Sequence, residues 1–307
     1  MGTWDCVIIG GGPAGISAAI YLARYNRSVV VADHGSGRST THEINENYFG
    51  FPEPIAQKEL RARGREQAER YGASFVETRA GGIARDGDAF VVRSEGAVLR
   101  GRTLIIATGV RDNLPQFENQ DVRDYFGKSL FWCITCDGYK TRGARVAVVG
   151  RDDEAATTAL QFLNFTDHVT VISNCDAASC EISPAKRAQL ADSGIALRIG
   201  NVTHLYGECG MMREVRIDTG GRLALDFMFS LQGAVPNSQL AASLGVAVDD
   251  AGYIQTDTEQ RTNVERVFAA GDVTKVFAHQ IVTAAHEGAT AGITANFELY
   301  RPEQRPG

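Results

Sequence analysis

Apolar and polar positions along this chain follow the order expected of an α/β protein. Residues 4–9 form an apolar run that ends at Gly10, and residues 16–25 then carry apolar side chains at helical intervals. A β-branched run over residues 28–33 follows and ends in Asp33. Strand, glycine turn, helix and strand together predict one βαβ unit.

The same order of elements returns in the middle of the chain. Residues 145–150 predict a strand, residues 152–165 a helix and residues 168–173 a second strand. The chain therefore contains two similar βαβ units. Further helices are predicted at 54–71 and 279–297, and further strands at 73–77, 89–93, 103–109, 196–199, 213–217, 227–231 and 266–272.

Two segments, 113–116 and 235–245, are typical of linkers, the second with a short helix. A length of 307 residues also favours two domains over one. We therefore predict an α/β fold of two Rossmann-like, three-layer ββα dinucleotide-binding domains, the second inserted in the first. Residues 1–112 and 247–307 would form the first domain, and residues 113–246 the inserted one.

Composition and charge exclude several classes of function. The chain is 44% hydrophobic and 22% charged, which is ordinary for a globular protein, and its net charge of −6 disfavours nucleic acid as a partner. It has no apolar run long enough to span a membrane and no secretory signal at its start, so we expect a cytoplasmic enzyme.

The first glycine-rich loop has the spacing of a dinucleotide site. Its sequence GGGPAG spaces Gly10, Gly12 and Gly15 as G-x-G-x-x-G, between a strand and a helix. The first glycine permits the tight turn, the second admits a pyrophosphate and the third lets helix and strand pack closely. Asp33 would accept hydrogen bonds from the adenosine ribose, and the helix N-terminus would hold the phosphates.

Features far from this loop favour FAD over NAD as its ligand. Gly271 and Asp272 follow a buried strand, and FAD-binding folds use such an aspartate to hold the ribitol chain. FAD-binding folds of this class also contact the cofactor at an ATG sequence, which here comprises Ala107, Thr108 and Gly109.

Cysteine spacing indicates redox chemistry. Of six cysteines, only Cys133 and Cys136 have the C-x-x-C spacing of a redox-active dithiol, and Asp137 directly after them is a candidate general acid for the leaving thiolate. A lone C-x-x-C is also half of a zinc site, but no second C-x-x-C or histidine pair lies nearby, so we predict no metal. The other four cysteines are interpreted as ordinary thiols.

These motifs together resemble the low-molecular-weight thioredoxin reductase family over nearly the whole chain. The resemblance is carried by GGGPAG, ENYFG at 46–50, LIIATG, CITCDG, VAVVG, GAVPN at 233–237 and FAAGDV. It implies a homodimer in which Cys136 faces the flavin and Cys133 exchanges with the disulfide substrate. Further flavin contacts implied by the resemblance are Pro13, Ala14, Asn47, Gln280 and Ile281.

The chain departs from the family at the second nucleotide loop. That family binds NADPH with G-G-G-D-S-A, where this chain has Gly150 followed by RDDEA at 151–155. The family's basic residues for the 2′-phosphate are missing too, since residues 172–183 contain no Lys or Arg. Arg151, Lys186 or Arg187 could compensate. His279 and His286 also replace family residues, Arg and Gly, and are candidate proton carriers near the flavin or the dithiol.

We therefore predict an FAD-dependent thiol–disulfide oxidoreductase of a subgroup with a degenerate NADPH site. Its donor would be ferredoxin, a second flavin, or a dithiol with oxygen as acceptor, and its substrate a thioredoxin-like protein or a small dithiol or disulfide. A conventional NADPH-dependent thioredoxin reductase is the first alternative. A non-catalytic flavin-binding sensor is the second.

Overall fold

A computed structural model describes residues 2–41 and 44–304. The chain divides into two compact units. The first contains residues 1–111 and 234–307, and the second contains residues 112–233. Among the helices of the described residues, none combines the length and the apolar character that a bilayer crossing requires.

The first unit begins with a βαβ unit, as predicted. Its helices before the second unit are α1 (Pro13–Arg24), α2 (Arg38–Thr41) and α3 (Gln57–Arg70). Its strands in this part are β1 (Trp4–Ile9), β2 (Val29–Asp33), β3 (Ile44–Asn45), β4 (Ile55–Ala56), β5 (Ser74–Glu77), β6 (Ala80–Asp86), β7 (Ala89–Ser94), β8 (Ala97–Ile106) and β9 (Val110–Asp112).

The second unit carries the second βαβ unit. Its helices are α4 (Ile134–Asp137), α5 (Asp153–Gln161) and α6 (Pro184–Asp192). Its strands are β10 (Leu130–Phe131), β11 (Val146–Val149), β12 (Val169–Ile172), β13 (Ala196–Arg198), β14 (Val202–Glu208), β15 (Met211–Ile217), β16 (Arg222–Ala224) and β17 (Phe227–Ser230). The chain then completes the first unit with β18 (Ala234–Pro236), α7 (Gln239–Ala242), β19 (Val267–Ala269) and α8 (Ile281–Leu299).

The first unit has three layers. Its central sheet has the order β5-β2-β1-β8-β7-β6, with β19 also paired to β8, and the β6–β7–β8 part is antiparallel. Side chains of β1 alternate between two cores: Cys6 and Ile8 pack with α1 and α8, whereas Val7 and Ile9 pack on the side of β6 and β7. Because both faces of β1 are covered, residues 6–9 of the strand are a continuous apolar run.

The second unit repeats this ββα arrangement with its own sheets. Its parallel sheet has the order β10-β17-β11-β12-β13, and β14, β15 and β16 form a separate antiparallel sheet. Ala147 and Val149 of β11 face a core shared with the antiparallel sheet, whereas Val146 and Val148 face α5 and α6. The predicted fold class is therefore confirmed: two three-layer α/β domains, one inserted in the other.

Three details differ from the sequence-based expectations. Residues 234–246 belong to the first unit, not to the inserted one, because β18 pairs with β9 and the side chains of Ala241 and Val246 lie in the first unit's core. The helix expected over 152–165 ends at Gln161 and continues as a 3₁₀ turn. The last helix begins at Ile281, so His279 and Gln280 precede it.

Candidate active site

The first glycine loop joins β1 to α1. Gly12 is the N-cap residue in an extended conformation, Pro13 is the first helical residue, and no described side chain caps this helix. A Cβ added to Gly12 would meet only the Ser39 Oγ, at 3.8 Å, so the backbone here is open to a ligand. An uncapped helix start with its free N–H groups is the site that a pyrophosphate requires.

The other two glycines are needed for close packing within the loop. A Cβ on Gly10 would lie 2.2 Å from the Ala107 carbonyl oxygen, and one on Gly15 would lie 1.9 Å from the Gly10 carbonyl oxygen. Both contacts are far shorter than packed atoms allow. Gly271 is similarly confined, since a Cβ added to it would lie 2.9 Å from the methyl group of Ala14. Small residues are therefore obligatory at these positions.

Asp33 lies at the end of β2, beside the glycine loop. Its carboxylate accepts a hydrogen bond from the Gly11 N–H at 3.2 Å and forms an ion pair with Arg61 of α3. The Arg61 Nε also donates to the Gly11 carbonyl oxygen at 2.8 Å. A carboxylate accepts about four hydrogen bonds, so Asp33 retains capacity for ribose hydroxyls. Sequence reasoning missed Arg61, because nothing in the helix pattern marks it.

Gly271 and Asp272 follow β19 and are held by two side chains that the sequence did not indicate. The Asp272 carboxylate is 2.8 Å from an Nη of Arg38, and the Gly271 N–H donates to the buried Glu287 carboxylate at 2.7 Å. The hydroxyl of Thr274 donates to the same carboxylate oxygen of Glu287 at 3.2 Å. Burial raises the pKa of Glu287.

Asn47 and Gln280, distant in sequence, lie together in the first unit. The Asn47 side-chain amide donates to the Gln280 side-chain oxygen at 3.0 Å, and Gln280 is the N-cap residue of α8, directly before Ile281. The His279 ring lies 5.5 Å from the Tyr253 ring, centroid to centroid. His286 lies on the exposed side of α8.

The predicted ATG contact adjoins the glycine loop. The Ala107 N–H donates to the Ile9 carbonyl oxygen at 2.8 Å, at the edge where β1 and β8 end. The Thr108 hydroxyl donates to the Asn237 carbonyl oxygen at 2.7 Å, and the Asn237 amide donates back to the Thr108 carbonyl oxygen at 2.9 Å. Gly109 follows with a φ of 65°, in the left-handed region that glycine favours.

The residues of the first unit fit FAD. The uncapped start of α1 lies next to the Asp33 carboxylate, which would bind the ribose. A second carboxylate, that of Asp272, lies at the end of another strand of the same sheet. The parallel strands β1, β2, β8 and β19 end at one edge, which is where open α/β sheets bind their ligands.

The redox cysteines lie in the second unit, after β10. Cys133 and Cys136 form a disulfide with Cα atoms 5.3 Å apart, within the usual range for such a bond. Cys133 caps the short helix α4, and its sulfur accepts a hydrogen bond from the Cys136 N–H at 3.1 Å. A donor at this sulfur favours the thiolate, the reactive form, once the bond is reduced.

Asp137 is buried, with 5% of its surface exposed, and pairs with Lys140 at 3.0 Å. Lys140 was not among the predicted site residues. Its ammonium also lies 5.3 Å from the centre of the Phe131 ring. The Lys140 ammonium therefore compensates the charge of the buried Asp137 carboxylate, which directly follows Cys136 in the sequence.

The second glycine loop has a different construction. The Asp152 carboxylate caps α5 itself, accepting hydrogen bonds from the N–H groups of Glu154 at 3.1 Å and Ala155 at 3.3 Å. The Asp153 carboxylate accepts a hydrogen bond from the Ser183 N–H at 2.7 Å, which lowers the pKa of Asp153. Three successive acidic side chains therefore occupy the start of this helix.

No group of three or more His, Cys, Asp or Glu side chains suited to a metal ion occurs within residues 2–41 and 44–304. The C-x-x-C motif is present there as a disulfide.

Comparison with known proteins identifies the family to which this chain is similar. A family model described as pyridine nucleotide-disulphide oxidoreductase matches residues 4–288. A thioredoxin reductase of Treponema pallidum is 31% identical over 300 residues, covering 95% of this chain and 96% of the relative.

Solved structures extend the comparison. The thioredoxin reductase of Streptococcus pyogenes has a TM-score of 0.90 at 29% identity, covering 97% of this chain and 98% of that one. The atypical thioredoxin reductase TRi of Desulfovibrio vulgaris Hildenborough is 35% identical with a TM-score of 0.54, covering 99% and 100% of the two chains.

The chain therefore belongs to the pyridine nucleotide-disulphide oxidoreductase family. Within that family it is a thioredoxin reductase-like enzyme, an FAD-dependent disulfide oxidoreductase.

Proposed function

We propose that this enzyme passes electrons between FAD and the Cys133–Cys136 pair and takes them from a donor other than NADPH. The observation that carries the proposal is the start of α5. There Asp152 uses the N–H groups of Glu154 and Ala155 that a pyrophosphate would need. This capping supports the proposal, because a pyrophosphate at the start of α5 would have to displace the Asp152 carboxylate.

Electrostatics supports the same conclusion. A carboxylate about 4 Å from a phosphate costs on the order of 4 kcal/mol at an effective dielectric constant near 20, before salt screening. That cost corresponds to roughly three decades in affinity. Asp153 and Glu154 flank Asp152 and add charge of the same sign.

The loop after β12 offers no replacement for the missing 2′-phosphate cations. Residues 172–183 contain no Lys or Arg. Arg187, the candidate for compensation, instead donates to the carbonyl oxygens of Ile182 at 2.8 Å and Cys180 at 3.4 Å. Lys186 lies close enough to Asp153 to lower the pKa of that carboxyl. Both side chains therefore interact with groups of this chain.

In the proposed reaction FAD supplies the two-electron chemistry, and the chain's own residues hold the cofactor and move the protons. The Gly12 loop and α1 would bind the pyrophosphate, Asp33 the ribose and Asp272 the ribitol, with Asn47, Gln280 and Ile281 nearer the ring. Cys136 would exchange electrons with the flavin and Cys133 with the substrate. Asp137, paired with Lys140, would carry the proton for the leaving thiolate.

The relatives are named thioredoxin reductases, so a thioredoxin-like protein is the proposed disulfide substrate. By the same resemblance we propose a homodimer. The proposed donors are ferredoxin, a second flavin, or a dithiol with oxygen as acceptor. The identity of 35% to a reductase described as atypical, against 29% to that of S. pyogenes, is a further reason to test the donor directly.

An anaerobic flavin-reduction assay tests the proposal. The purified holoenzyme would be mixed in turn with NADPH, NADH, reduced ferredoxin and a reduced dithiol while the absorbance of oxidised flavin is followed. We expect NADPH and NADH to leave the flavin oxidised and at least one other donor to bleach it. Rapid bleaching by NADPH would instead establish the conventional enzyme.

The Cys136→Ser variant is the matched control for the dithiol reaction. It should lose bleaching by the dithiol while keeping its flavin, because electrons can no longer reach the ring through the disulfide. If this variant behaved like the wild type with every donor, the cysteine pair would have no part in the reaction and the sensor alternative would gain support.

A further inference from the structure

The ion pair between Asp137 and Lys140 lies in the same turn of the chain as the redox cysteines. Asp137 is the last residue of α4, and its N–H donates to the Cys133 carbonyl oxygen at 3.1 Å. Lys140 belongs to the 3₁₀ turn Gly138–Thr141 that follows directly, and its Nζ is 3.0 Å from an Asp137 carboxylate oxygen. The carboxylate and its cation are therefore fixed to the segment that carries the disulfide.

The surroundings of this ion pair are apolar. Asp137 is buried, whereas the Lys140 side chain is 25% exposed, so the ammonium is the member of the pair nearer to solvent. The Lys140 ammonium lies 5.3 Å from the centre of the Phe131 ring of β10. A Cβ on Gly138 would come within 3.1 Å of the ring of Phe165, which follows α5 and its 3₁₀ turn. Both of these packed neighbours are uncharged.

The other charged and titratable groups near the pair are engaged in contacts of their own. The Arg142 guanidinium lies 4.4 Å from the centre of the exposed Tyr139 ring. On the side of α4, Cys133 and Cys136 are joined in the disulfide and do not titrate in this form. Arg142 is therefore a matched comparison for Lys140, since it is a cation two residues further along the chain.

The charge on Asp137 decides what it can do when a thiol arrives. A buried carboxyl group in apolar surroundings keeps its proton unless an opposite charge lies beside it. A cation at hydrogen-bonding distance favours the carboxylate, and the attraction is strong where the effective dielectric constant is low. The carboxylate can accept a proton from an incoming thiol, whereas a neutral carboxyl group cannot.

We propose that Lys140 is a positioning residue that keeps Asp137 ionised in the disulfide form, so that Asp137 begins the reaction with a dithiol as its proton acceptor. The substrate class that this resting form suits is a reduced dithiol, whose thiols must lose their protons to attack. The inference rests on one part of the proposed function, the exchange of Cys133 with the substrate.

The reaction balances in two steps. In the first, one substrate thiol gives its proton to the Asp137 carboxylate and its sulfur attacks Cys133. The Cys133–Cys136 bond breaks, and the leaving Cys136 thiolate takes the proton from Asp137. In the second, the other substrate thiol passes its proton to Asp137 and attacks the substrate sulfur held on Cys133, which leaves and takes that proton. The substrate loses two electrons and becomes a disulfide, and the two cysteines gain those electrons and both protons.

The experiment follows the opening of the disulfide in the flavin-loaded protein without oxygen. The holoenzyme would be mixed with excess dithiothreitol over a range of pH, quenched with acid at set times and alkylated. Mass spectrometry counts the opened Cys133–Cys136 bonds, and the absorbance of oxidised flavin is recorded in parallel, so that their sum gives the electrons taken up. Dividing each variant's rate by the wild-type rate at the same pH removes the titration of dithiothreitol itself.

Neutral residues at position 140 should give a rate that depends on pH more steeply than that of the wild type. Lys140→Met and Lys140→Gln leave the Asp137 carboxylate without its cation, so it takes up its proton at a higher pH. Their rate ratio to wild type should be near one at alkaline pH. In the acid range it should fall by about tenfold for each pH unit by which this titration moves.

Two further variants separate charge from packing. Lys140→Arg keeps the positive charge and should restore a ratio near one at every pH. Arg142→Met removes the neighbouring cation, and its ratio should not depend on pH. Flavin content and melting temperature check that each variant is folded.

Three outcomes would overturn the inference. The first is a Lys140→Met ratio that is the same at every pH, which is the result that lost packing alone would give. The second is a Lys140→Arg variant as impaired as Lys140→Met. The third is the same pH-dependent loss in Arg142→Met, because the effect would then belong to the net charge of the region.

Failure of the proposed function would give a different result in the same experiment. If the disulfide opened with the expected pH dependence while the flavin stayed oxidised, the role of Lys140 would stand. Electron transfer from the cysteine pair to FAD would be contradicted instead.

Discussion

The two glycine loops of this chain follow equivalent strands and begin equivalent helices, yet the N-termini of those helices differ: one has a side-chain cap and the other has none. In the first, Gly12 leaves open space and the start of α1 has no side-chain cap among the described residues. In the second, Asp152 stands at the equivalent position and caps α5. Both loops retain their first glycine, since a Cβ on Gly150 would come within 2.7 Å of the Leu231 carbonyl oxygen.

The difference separates two requirements that a G-x-G-x-x-G motif combines. The first glycine is required by the turn itself, and its loss would damage the fold. The middle glycine is the one that admits the pyrophosphate, and under the proposed function its replacement by a good N-cap residue accompanies a site that does not bind a dinucleotide. A degenerate loop of this kind remains a stable part of the domain.

The sharpest test of this comparison transfers the aspartate from the second loop to the first. Gly12→Asp should lower FAD affinity by about three decades, because its carboxylate would repel the pyrophosphate by on the order of 4 kcal/mol. The flavin-to-protein ratio after purification and the fluorescence of released flavin measure the effect. Gly12→Asn is the matched control, since it also caps the helix but carries no charge. Equal flavin loss in both variants would show that capping or bulk, and not charge, excludes the ligand.

Substitutions at the position of the third glycine in each motif test the packing requirement. Gly15→Ala should destabilise the first unit by about 1–3 kcal/mol, since its methyl group would be forced against the Gly10 carbonyl oxygen. Ala155→Gly, the reverse change in the second loop, should cost only about 0.5–1 kcal/mol of helix stability. Chemical denaturation of each variant measures both values. Similar losses at the two positions would remove the distinction between the loops.

Removing the side-chain cap of α5 in the second loop should lower the stability of the protein moderately. Asp152→Ala should cost about 1 kcal/mol of stability, because the Glu154 and Ala155 N–H groups lose their acceptor. Asp152→Asn should be nearly neutral, since asparagine caps as well as aspartate. Thermal unfolding of the two variants checks this difference. If asparagine cost as much as alanine, the role of Asp152 would be electrostatic and not hydrogen-bonding.

The smallest expected effect concerns Glu287, which holds Gly271 in the first unit. Burial raises the pKa of Glu287 above the ordinary value of roughly 4.3. The protonated side chain therefore contributes fully to the free energy of unfolding below that value, and this contribution is lost as pH rises through the raised pKa. Wild-type protein should therefore lose stability relative to Glu287→Gln from mildly acid toward neutral pH. Melting temperatures of both proteins across that range measure the trend. A difference in melting temperature that stays constant with pH would contradict this prediction. Asp272 and His286, the charged neighbours of this carboxyl, are the same in both proteins.

Strong local patterns made much of the fold predictable from sequence. The four strands of the two βαβ units consist mainly of apolar residues because both faces of each sheet are covered. Helix α6 was missed because it buries little beyond Leu190, and β6 was missed because Ile83 is its one buried residue. Weakly buried elements leave little hydrophobic periodicity in the sequence.

The site residues likewise divide into those that a sequence pattern identifies and those that it does not. The glycines, the C-x-x-C motif and Asp272 have recognisable spacings, and the structure places them at strand ends as expected. Arg38 and Arg61 could not be found, because each is brought to its aspartate by tertiary folding; Arg38 and Asp272 are 234 positions apart. Lys140 lies only three residues from Asp137 and could have been found from helical spacing.

The packing of α8 against α1 has a consequence for biosynthesis. A Cβ on Gly288 would come within 2.0 Å of the Ala14 carbonyl oxygen, so the last helix lies directly on the first turn of the helix that follows the glycine loop. A chain emerging from the ribosome exposes that loop early but acquires Asp272 and α8 only after the whole second unit has been synthesised. We therefore expect cofactor capture to be a late event, and chains truncated before α8 to be released colourless.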